Sequence, residues 1–86
     1  MWIKELHLEP SVEAKIALKH GVIKSEIEAA LFSDEPKYFK ARNGRYLAVG
    51  RAQRLITIIF EYHEGTAAVI TAYLPSKWQR KLYERK

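Results

Sequence analysis

Hydrophobic positions keep a helical spacing up to Pro36 and a strand-like one beyond it. The segment "EPSVEAKIALKHG" predicts a first helix. Ser11 is its expected N-cap, Glu13 sits in the first turn, and Lys19, His20 and Gly21 form a C-terminal end. "KSEIEAALFSDEP" predicts a second helix, with Ser25 and Glu28 as a capping box and Pro36 as its stop. Ile23, Ile27, Ala30 and Leu31 then share one face. Ahead of both, "WIKELHL" alternates loosely, as a short first strand would.

After Pro36 the period is two. "KYFKAR" and "RYLAVGR" flank Asn43-Gly44, a hairpin signal because both residues accept positive φ. "RLITIIFEY" is apolar on both faces, with Ile56, Ile58 and Phe60 against Leu55, Thr57 and Ile59, which predicts a central strand. "HEG" turns the chain into "TAAVITAYL", with Ala68, Ile70, Ala72 and Leu74 on one face and Val69, Thr71 and Tyr73 on the other. Ser76 and Gln79 predict a second capping box, opening a last helix that Trp78 and Leu82 would anchor in the core. The expected architecture is a single α+β domain over residues 1–86. Two helices precede an antiparallel meander of about four strands, and a third helix follows. The helices would lie on one face and leave the other for arginines to line.

Composition narrows the class. Hydrophobic residues make up 48% of the 86, enough for one small core and too few residues for a second. With no cysteine there is no disulfide, thiolate ligand or thiol nucleophile. No apolar run approaches a membrane span, and "MWIKELHLEP" lacks a signal-peptide layout, so a cytoplasmic location is expected. Charge is uneven. Residues 1–36 hold four Lys against seven Asp or Glu, whereas residues 37–86 hold eleven Lys or Arg against three Glu. The last nineteen residues end in a basic, aromatic run, "SKWQRKLYERK". A basic half of this kind points to nucleic acid or an acidic partner.

Three blocks carry a family resemblance. They are "KHGV" at the end of the first helix, "RYLAVGR" leading into the long strand, and "VITAYLPSKWQRKLY" from Val69 to Tyr83. In register they resemble the BrnT toxins, ribonucleases of bacterial type II toxin–antitoxin systems with a RelE-like fold. The family pattern for the third block is I-S-A-R, a spacer, then E-R-x-x-Y. Arg80 and Tyr83 match it, while Tyr73 replaces the arginine and Gln79 the glutamate. The resemblance implies an endoribonuclease that needs no metal or cofactor. It implies RNA as substrate, and a small cognate antitoxin as partner, in a complex with it or alongside a homodimer.

Cleaving RNA without metal needs a base for the 2′-hydroxyl, an acid for the leaving 5′-oxygen, and cations for the charged phosphorus centre. Arginine suits the last role because its fork binds two phosphate oxygens. Lys19, His20, Arg51, Arg80 and Tyr83 are the candidate catalytic residues. Arg45, Arg54, Tyr73, Lys77 and Lys81 are the candidates for binding RNA. A histidine exchanges protons near neutrality, but a helix C-terminus also favours His20 for its dipole alone. His7 and His63 read as strand-end and turn residues, and the scattered histidines show no metal-ligand spacing. Tyr83 can donate a proton, stack on a base, or simply pack its ring. The alternative function is a non-catalytic RNA- or protein-binding module on the same fold.

Overall fold

A computed structural model describes residues 1–85; Lys86, counted above in the basic C-terminal run, lies outside the described residues. The chain folds as β1 (Glu5–His7), α1 (Pro10–His20), α2 (Lys24–Leu31), β2 (Lys37–Lys40), β3 (Tyr46–Arg51), β4 (Leu55–His63), β5 (Thr66–Tyr73) and α3 (Lys77–Glu84). One five-stranded sheet runs in the order β1-β5-β4-β3-β2. The α+β class and the central place of β4 follow the sequence pattern. The sheet is mixed rather than purely antiparallel, because β1 pairs parallel with β5, Leu6 opposite Ala67.

The helices lie on both faces, not one. Ile16, Val22, Ile27, Ala30 and Leu31 of the α1–α2 layer pack with Ala48, Ile56, Ile58, Phe60, Val69 and Ala72 in the main core. A smaller core on the opposite face joins Leu47, Val49 and Leu55 with Phe39, Ile59 and Tyr83 of α3. β4 is apolar on both faces because each face has its own helical cover.

Helix ends depart from the predicted caps. Glu9, not Ser11, is the N-cap of α1, because Pro10 takes the first helical position, where its missing N–H costs nothing. Gly21 closes α1 at φ +65 as expected. α2 starts two residues earlier than Ser25 would place it. Ile23 is its N-cap, and the Glu26 carboxylate accepts the Ile23 N–H at 3.2 Å. Ile23 is therefore exposed rather than on the buried face. The helix ends at Leu31, ahead of Pro36, where the Ser33 hydroxyl turns back to donate to the Ala30 carbonyl at 2.8 Å. At the β2–β3 hairpin, Asn43 and Gly44 both take positive φ, as predicted.

Alternation in β5 breaks at a bulge. Ile59 pairs with Thr71 but Phe60 with Val69, which leaves Ile70 as the extra residue. Ala67, Val69 and Ala72 consequently face the main core, instead of the regular 68-70-72 set. Tyr73, opposite Thr57, turns towards α3.

Trp78 is not a core residue: it is 59% exposed, whereas Gln79 is 4% exposed. Ser76 and Gln79 form the expected capping box, with Ser76 N–H donating to Gln79 Oε1 at 3.0 Å and Gln79 N–H donating to Ser76 Oγ at 3.4 Å. That box fixes the helix phase so that Gln79 and Tyr83 face the sheet and Trp78 faces solvent.

Candidate active site

Pairing brings three strand ends together. Arg51 at the end of β3 pairs with Leu55 at the start of β4, and Thr57 of β4 pairs with Tyr73 at the end of β5. α1 ends and α2 begins at the same edge, where Arg54 binds both. Its guanidinium donates to Glu26 at 2.7 and 3.0 Å and to the Gly21 carbonyl at 2.8 Å. The Arg54 hydrogen bonds hold the Glu26 carboxyl below the usual carboxylate range, and the carboxylate raises the Arg54 pKa in turn. Arg54, a sequence candidate for RNA binding, thus ties the β3–β4 turn to the α1–α2 junction.

Two side-chain pairs result. In the first, the His20 and Tyr73 rings lie 6.0 Å apart. Gln79 Nε2 donates to the Tyr73 hydroxyl at 3.2 Å, while Gln79 Oε1 also accepts the Thr57 hydroxyl at 3.0 Å. The Tyr73 oxygen accepts that bond and keeps its own proton to donate. Lys19 stands beside His20, and a groove of about 280 Å3 runs between Lys15, Lys19 and His20 on α1 and Ile70 and Thr71 on β5. α3 covers the sheet face that carries Tyr73, and Gln79 holds its hydroxyl.

In the second pair, the Arg51 guanidinium lies 6.0 Å from the Tyr83 ring centroid. Arg51 is exposed, while Tyr83 is half-buried on the smaller core. The two pairs belong to β3 and β5, separated by β4 and offset by two residues along it, so Arg51 and Tyr73 stand about 12 Å apart on the sheet. Lys77, Arg80 and Lys81 are exposed at i, i+3, i+4 spacing and form a basic stripe on the outer side of α3.

Arg45 does not join them. It sits at the other end of β3, about 20 Å from Arg51 at ordinary strand rise. There it faces Glu61 at 3.7 Å. His7 and His63 are exposed at strand ends, as expected. Among the described residues no group of three His, Cys, Asp or Glu side chains gathers as a metal site would need.

Sequence spacing missed the α2–β2 turn. Ser33, Asp34 and Glu35 line a groove of about 440 Å3 with Arg51, Ala52 and Tyr83. The one local signal is Gly50. A Cβ at that position would lie 2.1 Å from the Ala30 carbonyl oxygen, so glycine lets α2 press against β3 and bring its following turn beside Arg51.

The two departures from the resembled pattern lie in contact. Tyr73 and Gln79 are hydrogen-bonded to each other. Where the pattern has an arginine and a glutamate, this chain has a neutral hydroxyl and amide in contact.

No family model and no curated protein matches the chain. Among solved structures, the Brucella abortus ribonuclease toxin BrnT superposes with a TM-score of 0.69. The match covers 85% of this chain and 97% of that one, at 20% sequence identity.

Proposed function

We propose that this chain, which has the fold of BrnT, is a ribonuclease toxin of the same kind. It cleaves RNA without metal, and a small cognate antitoxin holds it inactive by covering its basic face. The observation that carries this reading is the meeting of His20–Tyr73 and Arg51–Tyr83 at one sheet end, beneath the basic stripe of α3. The stripe draws in the phosphate backbone. Arg51 holds the scissile phosphate and stabilises its extra charge. His20 takes the 2′-hydroxyl proton as the 2′-oxygen bonds to phosphorus. The bond to the 5′-oxygen breaks, a tyrosine hydroxyl supplies the proton to that oxygen, and a 2′,3′-cyclic phosphate remains.

The direct test is incubation of the protein with RNA in excess EDTA, against an Arg51→Ala/Arg80→Ala variant. Cleavage by the wild type alone supports the reading, and equal rates from both overturn it. A second reading, an RNA-binding module without turnover, is favoured by the neutral Tyr73–Gln79 pair. It predicts salt-dependent RNA affinity with no cyclic-phosphate product.

A further inference from the structure

The α2–β2 turn lies outside the residues given roles above, and its chemistry differs from theirs. Arg51 and Ala52 line two grooves at once. One is the 440 Å3 groove with Ser33, Asp34, Glu35 and Tyr83, and the other, of about 620 Å3, contains Ile23, Ser25, Glu26, Ala29 and Gln53. A phosphodiester held on Arg51 would have a groove on each side, as the two nucleosides that it joins require.

The two grooves would not treat those nucleosides alike. In the larger one, Glu26 is already bound by Arg54 through two hydrogen bonds. What remains are the Ser25 hydroxyl and the Gln53 amide, which both donate and accept and so tolerate any base. In the smaller one, neither Asp34 nor Glu35 forms an ion pair among the described residues. Ionised carboxylates only accept hydrogen bonds, and they repel phosphate. A group seated there must be uncharged and rich in donors. Guanine offers two adjacent donors, N1–H and N2–H, which match a carboxylate in parallel. Adenine and cytosine offer one amino donor beside an acceptor nitrogen, and uracil offers a single N–H between two carbonyl oxygens. Tyr83 supplies an aromatic wall on which a splayed base can stack.

We infer that this groove is a guanine pocket, in which Asp34 and Glu35 read the N1–H/N2–H edge while Arg51 holds the adjoining phosphate. The inference rests on the RNA-directed reading above and adds base selectivity to it. Gly50 is its structural support, since the close approach of Ala30 to β3 sets the turn beside Arg51.

The test titrates the 15N-labelled full chain with 5′-GMP, 5′-AMP, 5′-CMP and 5′-UMP at constant ionic strength, with an RNA oligonucleotide in parallel. GMP should shift the Ser33–Glu35 and Ala52 amides and bind at least about 10-fold more tightly than UMP, within the usual range for a bidentate base contact. Asp34→Asn/Glu35→Gln, at two exposed positions, should bring GMP affinity down to that of UMP, and its melting curve checks that it folds. Arg51→Ala should weaken all four nucleotides alike. Equal binding of the four, or a preference that survives the double variant, overturns the guanine pocket and leaves the RNA reading standing. If neither nucleotides nor RNA bind, the RNA reading fails and the pocket with it.

Discussion

Gly50→Ala tests how the site is assembled. In an ordinary strand interior alanine is the better residue, by roughly 0.5–1 kcal/mol. Here the added Cβ would stand 2.1 Å from the Ala30 carbonyl oxygen and 2.8 Å from its carbonyl carbon. Restoring even a 3.4 Å contact to that oxygen requires α2 and β3 to separate by about 1.3 Å along this line. The atoms are backbone, so no rotamer change relieves them, and the cost belongs near the top of the overpacking range, about 3 kcal/mol. For a domain of this size that corresponds to a fall in Tm of about 12–24 °C. Calorimetry or a urea melt measures it, and amide shifts at Ser33–Glu35 and Arg51 report whether the turn moves. Ala30→Gly in the same chain should give no rescue, because it leaves the clashing carbonyl in place. A fall under about 4 °C, or rescue by Ala30→Gly, would refute the close-approach argument.

Further outcomes follow from individual contacts. Glu26→Gln should flatten the acid limb of the stability profile: the folded carboxyl is held low by Arg54, so its contribution is full above the unfolded pKa and fades as pH falls through the folded one. Urea melts of both proteins between neutral pH and pH 3 check this, and parallel profiles would rule it out. Trp78→Ala should change stability by no more than about 0.5 kcal/mol, since the ring is exposed. Gln79→Leu should cost about 1–3 kcal/mol, because the buried Thr57 hydroxyl and the Ser76 N–H lose their acceptor. In a double-mutant cycle, Tyr73→Arg and Gln79→Glu should couple by about 0.5–3 kcal/mol, the pair together costing less than the sum; additivity within about 0.5 kcal/mol would show the two positions to be independent.

How much of this was legible depended on range. Features written in short windows came through: the Asn43-Gly44 turn, the Gly21 helix end, the Ser76–Gln79 box and the two-faced β4. Errors arose where a distant partner decided the outcome. Ser25 and Glu28 satisfy the capping-box spacing, yet Arg54, 28 residues beyond Glu26, bridges Glu26 to Gly21 and helps fix where α2 starts. Trp78 fits an anchor by size, but Thr57 and Tyr73 draw Gln79 inward and turn the indole out. The bulge at Ile70 reverses the faces of half of β5 without any glycine or proline to announce it. Of the candidate residues, His20, Arg51 and Tyr83 stand out in the sequence by type and position, whereas Asp34 and Glu35 come beside Arg51 only through the contact that Gly50 permits.

The contact between Tyr73 and Gln79 bears most directly on the proposed chemistry. An arginine and a glutamate sum to no net charge, as do a tyrosine and a glutamine, so the net charge beside α3 is the same with either pair. Lys77, Arg80 and Lys81 still form the exposed stripe, and Arg51 still carries a free fork beside Tyr83. What differs is the proton inventory. A guanidinium stabilises charge but does not give up a proton at neutral pH, whereas a phenol can. The Tyr73 hydroxyl accepts a hydrogen bond from Gln79 Nε2, and its ring lies 6.0 Å from that of His20. In the proposed reaction a tyrosine here would serve proton transfer, where the arginine of the resembled pattern would serve charge stabilisation. Arg51, like Arg80, is exposed and free of a carboxylate partner among the described ion pairs. In the proposed reaction, a site with tyrosine at position 73 would depend more heavily on Arg51 than one with a second arginine there.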